Sequence, residues 1–466
     1  MLDSYKSLPS SLVADFIVRP AESFFKKEAS SSVLLLLASF MAVAWANSAL
    51  APLYHDLLHI HLTFELGQYQ IEKSLLHWIN DGLMTYFIFI VGLEIKREIL
   101  VGELSNPKSA LLPVVGALGG MLVPGAIYFA LNRGTPTAGG WGIPMATDIA
   151  FALGAIAVFG RKLPVGLRVF LSAFAIADDL GAVVVIAVFY TKEIVWSYLI
   201  ICIFFVAGLV VANLLWIRWA VLYALLGLGM WLAVLNSGIH PTVAGFVVAM
   251  FIPARGKYDT DRFVKRVKEI MDEFQCEEQS CGYSILLDRG HLNAVRALEV
   301  ACHEVETPLQ RLEHSLHPWI AFGLLPLFAF VNAGLSLEGI DLASIIHQPL
   351  PLGIALGLLI GKPIGIVLFS FLAVKTGIAV LPAEVRWSHI IGAGMLGGIG
   401  FTMSLFVSGL SFTSPELLNY AKLGILSGSI ISAVAGIAFL AWVYTFLGRG
   451  ERNTTAQGNQ ALNSRH

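Results

Sequence analysis

Residues 165–190 read Val-Gly-Leu-Arg-Val-Phe-Leu-Ser-Ala-Phe-Ala-Ile-Ala-Asp-Asp-Leu-Gly-Ala-Val-Val-Val-Ile-Ala-Val-Phe-Tyr. A helix crossing a bilayer core about 30 Å thick needs about 20 mostly apolar residues. This stretch is long enough, and its only charges are Arg168 near one end and the adjacent pair Asp178 and Asp179. Asp178 lies about 13 residues in, roughly 20 Å along the axis at about 1.5 Å per residue. An acid at a helix centre costs about 2.5–3.5 kcal/mol on insertion scales, and so expensive a residue usually faces a protein interior or a water cavity. One segment therefore points both to a membrane protein and to a place where ions could be handled.

The rest of the chain agrees. Of 466 residues 56 % are hydrophobic and 13 % charged, and the mean hydropathy is +0.75. A soluble chain carries about 25 % charged residues, and disorder needs low hydrophobicity with high net charge. The net charge of −2 lacks the basic excess of a nucleic-acid binder. Cys202, Cys276, Cys281 and Cys302 are too few for a disulfide scaffold and match no zinc spacing. The expected fold is an all-α polytopic membrane protein of about twelve spans, at 32–53, 76–99, 108–131, 142–160, 165–190, 195–217, 219–236, 238–253, 318–337, 350–374, 386–411 and 418–447.

Lys and Arg set the orientation. With residues 1–31 inside, 25 of the 30 fall on the inner side. Lys73, Arg133, Lys192 and Lys422 fall outside, and Lys362 lies within a span. Both termini, including the tail 448–466, are then cytoplasmic, and the stretch before the first span has no short apolar core with a cleavage site that would mark a removable signal peptide. The block 32–253 carries eight spans and 318–447 four. Between them, the cytoplasmic loop 254–317 has helical patterns over 261–274 and 291–316, and reads as a solvated connector rather than a regulatory domain. Its Cys276 and Cys281 read as free thiols on the reducing side. The first outside loop alternates apolar and polar residues over 60–71, a hairpin pattern placed at 58–72. An isolated hairpin is marginal in water, so pairing with a second copy would steady it, which suggests a homodimer.

Asp81, Asp148 and Lys362 also stand out among the charges within spans. Adjacent helical residues point about 100° apart, so Asp178 and Asp179 can share a cavity only if it is broad. Two carboxylates so close cannot both ionise cheaply in low dielectric, and such a pair can trade protons for a cation. Hard cations want oxygen ligands, which Thr147, Asp148 and the aspartate pair offer. His240 reads as structural. Two spans look broken, by Gly-Trp-Gly-Ile-Pro at 140–144 and by Gly-Ala-Gly-Met-Leu-Gly-Gly-Ile-Gly at 392–400. Irregular backbone at membrane depth survives only inside protein or along a cavity. Paired interruptions in corresponding positions point to a transporter site. These two lie in the middle spans of the triplets 108–190 and 350–447, which start on opposite sides, so a repeat relating them would be inverted.

Together these residues resemble the NhaA-type sodium/proton antiporters. This family is itself a standard example of inverted repeats with interrupted helices. The motifs carrying the resemblance are Trp-Ile-Asn-Asp-Gly-Leu-Met (78–84), Val-Gly-Leu-Glu-Ile-Lys-Arg-Glu (91–98), Gly-Trp-Gly-Ile-Pro-Met-Ala-Thr-Asp-Ile-Ala-Phe-Ala-Leu-Gly (140–154) and Ala-Ile-Ala-Asp-Asp-Leu-Gly-Ala (175–182). Further on come Leu-Glu-His-Ser-Leu-His-Pro-Trp (312–319), Leu-Pro-Leu-Phe-Ala-Phe-Val-Asn-Ala-Gly (325–334), Gly-Lys-Pro-Ile-Gly (361–365) and Gly-Ile-Gly-Phe-Thr-Met-Ser-Leu-Phe (398–406). The resemblance implies that Asp178 and Asp179 form the cation- and proton-exchanging pair, with Thr147 completing the transported Na⁺ site. Thr147 and Asp148 would be crossing-segment partners, Lys362 the lysine that compensates helix ends and pairs with the first aspartate, and Asp81 the acid near the outer funnel. Glu94, Arg97, Glu98, Glu313, His314 and His317 would form a pH-sensing cluster at the cytoplasmic mouth. Residues 94, 97 and 98 do share a helix face. The loop 254–312 is longer than the family leads one to expect.

The function so implied is electrogenic, pH-regulated exchange of cytoplasmic Na⁺ or Li⁺ for external H⁺ across a bacterial inner membrane. It needs membrane lipid around the chain, no cofactor, no nucleic acid and no enzymatic chemistry. An intramembrane aspartyl protease would want one acid on each of two helices, usually in a Gly-x-Gly-Asp context, which no aspartate here has. A passive cation channel predicts acidic rings without a buried lysine.

Overall fold

The computed structural model describes residues 28–66, 69–160, 163–191, 193–254, 260–272, 289–336, 348–382 and 384–463. The stretch before residue 28, Lys192, Cys276 and Cys281 lie outside the described residues.

The chain is mostly helical. Helix α1 (Glu28–Ala46) bends by 110° into α2 (Ala51–His59), so the first apolar stretch, expected straight over 32–53, is turned at its end. Pro52 in the first turn of α2 suits a new helix start. Strands β1 (His61–Leu66) and β2 (Tyr69–Ser74) pair antiparallel, with His61 opposite Ser74 and Leu66 opposite Tyr69. The stretch expected to span over 76–99 is one helix interrupted by a π turn: α3 (Leu75–Trp78), the turn Ile79–Leu83, then α4 (Met84–Leu100). Ser74 caps it by accepting from the His77 N–H. Next come α5 (Pro107–Asn132), a 3₁₀ segment (Ala138–Met145), α6 (Ile149–Ala157) and α7 (Val165–Phe189). Helices α8 (Trp196–Leu214), α9 (Ala220–Leu235) and α10 (Thr242–Phe251) follow.

The long loop contains α11 (Thr260–Asp272) and α12 (Arg289–Val305), which bury Ile270, Ala294 and Ala301 between them. Helix α13 (Pro308–Trp319) starts ten residues before the expected span because Thr307 caps it, accepting from the Gln310 N–H, and a proline opens its first turn. Glu313 and His314, within the helical pattern expected over 291–316, and His317, just beyond it, stand on a helix that runs through a π turn (Ile320–Leu324) into α14 (Leu325–Asn332). The last group is α15 (Pro349–Leu356), a π turn (Gly357–Gly361), α16 (Lys362–Lys375), α17 (Trp387–Gly397), α18 (Phe401–Ser411) and α19 (Pro415–Asn463). The last helix runs past the expected boundary at residue 447 as far as Asn463.

Among the described residues, seven helices are long and apolar enough to cross a membrane. Two bent pairs, α1 with α2 and α17 with α18, raise the number to nine if each is one span. The apolar helices α9 and α10 are shorter. Burial is uneven in the way a bilayer requires. Helix α8 exposes Trp196, Ile200 and Phe204 at about 70 % each, whereas Phe170, Phe174 and Leu167 on α7 are sealed. Two glycines set the tightest contact. A Cβ on Gly119 of α5 would strike the carbonyl oxygen of Gly365 on α16, and one on Gly365 would strike that of Gly119. The two backbones therefore meet with no side chains between them, as small residues allow, and this brings the start of α16, Lys362, into the middle of the protein.

Candidate functional site

Two interruptions meet. After the 3₁₀ segment, Ala146 and Asp148 are extended before α6 begins. Between α17 and α18 the chain breaks at Gly398–Gly400 with a 45° bend. The two irregular pieces satisfy each other's polar groups. The Asp148 N–H donates to the Ile399 carbonyl at 2.6 Å. The Thr147 hydroxyl donates to the Gly397 carbonyl at 2.8 Å. Flanking hydroxyls complete the job: Ser404 donates to the Ile143 carbonyl, Ser432 to that of Met395, and Ser429 accepts from the Gly400 N–H. Without these partners the freed backbone groups would each cost several kcal/mol in an apolar medium, about what an unsatisfied group loses there.

The crossing also brings helix ends of both signs together. The N-termini of α6 and α18 carry partial positive charge, and Asp148 answers both. Its Oδ1 accepts from the Phe151 N–H as the α6 cap, and its Oδ2 accepts from the Thr402 N–H at 3.0 Å and hydroxyl at 2.5 Å. The C-terminal ends of the 3₁₀ segment and of α17 carry partial negative charge, and Lys362 lies beside them. Its Nζ donates to the Thr147 hydroxyl at 2.8 Å and to Asp178 Oδ2 at 2.7 Å, and stands 5.6 Å from the centre of the Phe174 ring. Lys362 and Asp178 are both fully buried, and Thr147, Asp148 and Asp179 are 1–2 % exposed. Asp178 Oδ1 and Asp179 Oδ1 are buried with no protein hydrogen-bond partner. Asp179 lies within electrostatic range of Asp178, Glu94 and Asp148.

Of the residues singled out in the sequence, the structure thus gathers Thr147, Asp148, Asp178, Asp179 and Lys362 at one place. Asp81 is held elsewhere. It sits on the π turn and pairs with Lys73 of β2 at 2.7 Å, while its backbone carbonyl accepts from the Thr85 hydroxyl. The neighbouring Asn80 and Asn332 of α14 exchange reciprocal amide bonds at 3.1 and 2.8 Å. Three members of the expected mouth cluster meet. Arg97 binds Glu98 at 2.8 Å and Glu313 at 3.0 Å, so it ties α4 to α13. Glu94 lies one turn along α4 within electrostatic range of Arg97, Glu98 and Glu313. His314 and His317 are exposed on α13. Among the described residues no group of three His, Cys, Asp or Glu side chains is arranged to hold a resident metal ion.

Sequence reading missed Thr402 and the Ile399 carbonyl. Thr402 lies in the quoted Gly-Ile-Gly-Phe-Thr motif, and a hydroxyl in the first turn after a glycine break was the available signal. The backbone carbonyl has no sequence signal at all.

Buried acids, a buried lysine and two broken helices that cross define a membrane transporter rather than an enzyme. The family description "Na+/H+ antiporter 1" matches residues 22–440. The chain is 47 % identical over 427 residues to the Na⁺/H⁺ antiporter NhaA 1 of Saccharophagus degradans, covering 91 % of each chain. It is 45 % identical over 422 residues to the Na⁺/H⁺ antiporter NhaA of Oleidesulfovibrio alaskensis, covering 91 % of this chain and 93 % of the relative. Against the Na⁺/H⁺ antiporter NhaA of Escherichia coli O1:K1 it is 44 % identical over 421 residues, covering 90 % and 96 %. The chain belongs to the NhaA family of Na⁺/H⁺ antiporters.

Proposed function

We propose that this chain exchanges cytoplasmic Na⁺ or Li⁺ for external H⁺ at Asp178 and Asp179, by competition between the cation and protons for the same two carboxylates. The observation that carries the reading is the pair of buried carboxylate oxygens, Asp178 Oδ1 and Asp179 Oδ1, that no protein group satisfies, beside a lysine bonded to Asp178. Na⁺ is a hard cation that takes oxygen ligands. Those two oxygens and the remaining lone pair of the Thr147 hydroxyl are the ones on offer. With sodium scarce or pH low, protons neutralise the pair. At alkaline pH the carboxylates ionise and Na⁺ enters from the cytoplasm, drawing Asp178 away from Lys362. The crossing segments then change the side from which the site is reached, Na⁺ leaves, and protons return. Two carboxylates and one base can release more than one proton per Na⁺, which makes the exchange electrogenic.

Thr147, Asp148 and Lys362 are supporting residues in this scheme. Asp148 and Lys362 balance the four helix ends, so the broken backbone can persist and move. Glu94, Arg97, Glu98, Glu313, His314 and His317 regulate by pH from the cytoplasmic mouth, and Asp81 faces the outer funnel. The twelve apolar stretches are spans, with both termini cytoplasmic in a bacterial inner membrane. The two triplets, 108–190 and 350–447, are inverted repeats. The β1–β2 hairpin lies outside and pairs with a second copy in a homodimer. Everted membrane vesicles test the exchange. After respiration acidifies the lumen, NaCl or LiCl should collapse the pH gradient, and Asp178→Asn or Asp179→Asn should abolish the collapse at normal membrane levels. Near-normal collapse in either variant overturns the reading. In proteoliposomes, a membrane potential that accelerates Na⁺ efflux supports electrogenicity, and indifference to potential refutes it.

A further inference from the structure

Pro363, Ile364, Val367, Leu368 and Phe371 of α16, with Ile391 of α17, line a groove of about 430 Å³ open to the outside of the helix bundle. The groove presents no polar surface, and Ile364, Leu368 and Phe371 are 44–50 % exposed. Its two ends differ. One begins at Pro363, directly after the buried Lys362. The other, about 12 Å along the helix at about 1.5 Å per residue, ends at Phe371 under a polar and aromatic group. Trp387 packs edge-on against the Phe371 ring at 5.4 Å. Lys375 sets its Nζ 6.0 Å from the centre of the same ring. Arg386, next to Trp387, is exposed, as is Lys375. The acid in this stretch is Glu384, two residues from Arg386.

An apolar trough that ends at a tryptophan and a lysine, with an exposed arginine next in sequence to the tryptophan, has the polarity of a phospholipid. Tryptophan settles at the headgroup level of a bilayer. Basic pockets between membrane helices favour anionic headgroups. We infer that this groove is a binding site for one anionic phospholipid, with an acyl chain laid along Ile364, Leu368 and Phe371 and the phosphate held between Lys375 and Arg386. A lipid so placed touches both α16, which carries Lys362, and α17, which leads into the crossing. The inference rests on the chain's residence in a bilayer and is independent of what the chain exchanges.

The test uses the full-length chain in detergent micelles, with phosphatidylglycerol or phosphatidylcholine carrying a photoreactive acyl chain. The label should fall on peptides covering 363–371 and 391, with phosphatidylglycerol favoured. Lys375→Gln is a surface change, and Arg386→Gln keeps a polar side chain at the N-cap of α17. Each should weaken phosphatidylglycerol labelling about fivefold, the equivalent of about 1 kcal/mol per cation near an anionic headgroup, and weaken phosphatidylcholine labelling less, because choline offsets the charge of its phosphate. Leu368→Trp, which fills the trough, should lower labelling by both. Three results overturn the inference: equal labelling by the two lipids, no change in the Gln variants, or labelling spread evenly onto the exposed helix Trp196–Leu214. No outcome depends on transport, so failure here leaves the exchange reading standing.

Discussion

Lys362 and Arg97 each hold a carboxylate on another helix at similar length, 2.7 Å to Asp178 and 3.0 Å to Glu313. Their surroundings are opposite. The first pair is completely buried, while the second exposes 39 % of its arginine side chain and 13 % of its glutamate. A buried pair has lost the hydration of both ions, so removing one partner strands the other. A half-exposed pair exchanges water for protein at little net gain. The same bond is thus a structural necessity at the crossing and an adjustable contact at the mouth. The buried pair suits a step in which one ion replaces another, and the exposed pair suits a contact that yields to pH or salt.

The largest effect expected is on transport, where Asp179→Asn or Asp178→Asn should leave no Na⁺-driven proton movement in vesicles. Stability should survive in Asp179→Asn, since a neutral amide relieves the repulsion between the two acids, whereas Asp178→Asn also takes the carboxylate from the buried Lys362 and should cost stability. Next comes Lys362→Ala, which strands Asp178. It should lower stability by about 3–5 kcal/mol, the range for breaking a buried pair, read as thermal unfolding in detergent. Combining it with Asp178→Asn should recover most of that loss. Arg97→Ala, its counterpart at the mouth, should cost no more than about 1 kcal/mol. Equal losses for the two lysine and arginine variants would erase the contrast. Thr402→Val removes one hydroxyl from Asp148 while keeping the backbone donor, and should cost about 1.5–3 kcal/mol, as a bond to a charged group does.

The smallest effect concerns pH. Glu313→Gln fixes the neutral form that acid would produce, so the onset of exchange should move alkaline by about half a pH unit. That size suits a partly exposed group, a full unit being about 1.36 kcal/mol. The measurement is the pH profile at saturating Na⁺, because simple competition at the aspartates fades as Na⁺ rises and a separate sensor does not. An unchanged onset in both Glu313→Gln and Glu94→Gln would assign all pH dependence to Asp178 and Asp179.

The membrane class, the mostly helical build and the place of the two breaks could be read from the chain, because apolar length and glycine or proline interruptions are local properties. So could the candidate residues at the crossing, since an aspartate or lysine among apolar residues announces itself. The partnerships could not. Nothing in 140–154 says that the Asp148 carboxylate is taken up by Thr402, 254 residues away, or that its N–H goes to Ile399. The helical pattern read over 291–316 likewise concealed the break between Val305 and Pro308 that starts α13, because helical periodicity continues on both sides of the cap. The π turns at Ile79–Leu83, Ile320–Leu324 and Gly357–Gly361 went unseen for a related reason. One residue of altered hydrogen bonding leaves the apolar pattern on either side nearly unchanged.

The contact between Gly119 and Gly365 constrains how this protein can work as a machine. Gears slip when their teeth are compliant, and between most helices the teeth are side chains that can change rotamer. Here two main chains touch directly, so no compliant layer lets α5 and α16 slide past one another. Any displacement of Lys362 in the proposed cycle should carry residues 107–132 with it as one strut, and the give should come from the unwound links at 146–148 and 398–400. Spin labels on the exposed Leu118 of α5 and Leu368 of α16 should accordingly keep a constant separation through the transport cycle, while a pair bridging either link should not.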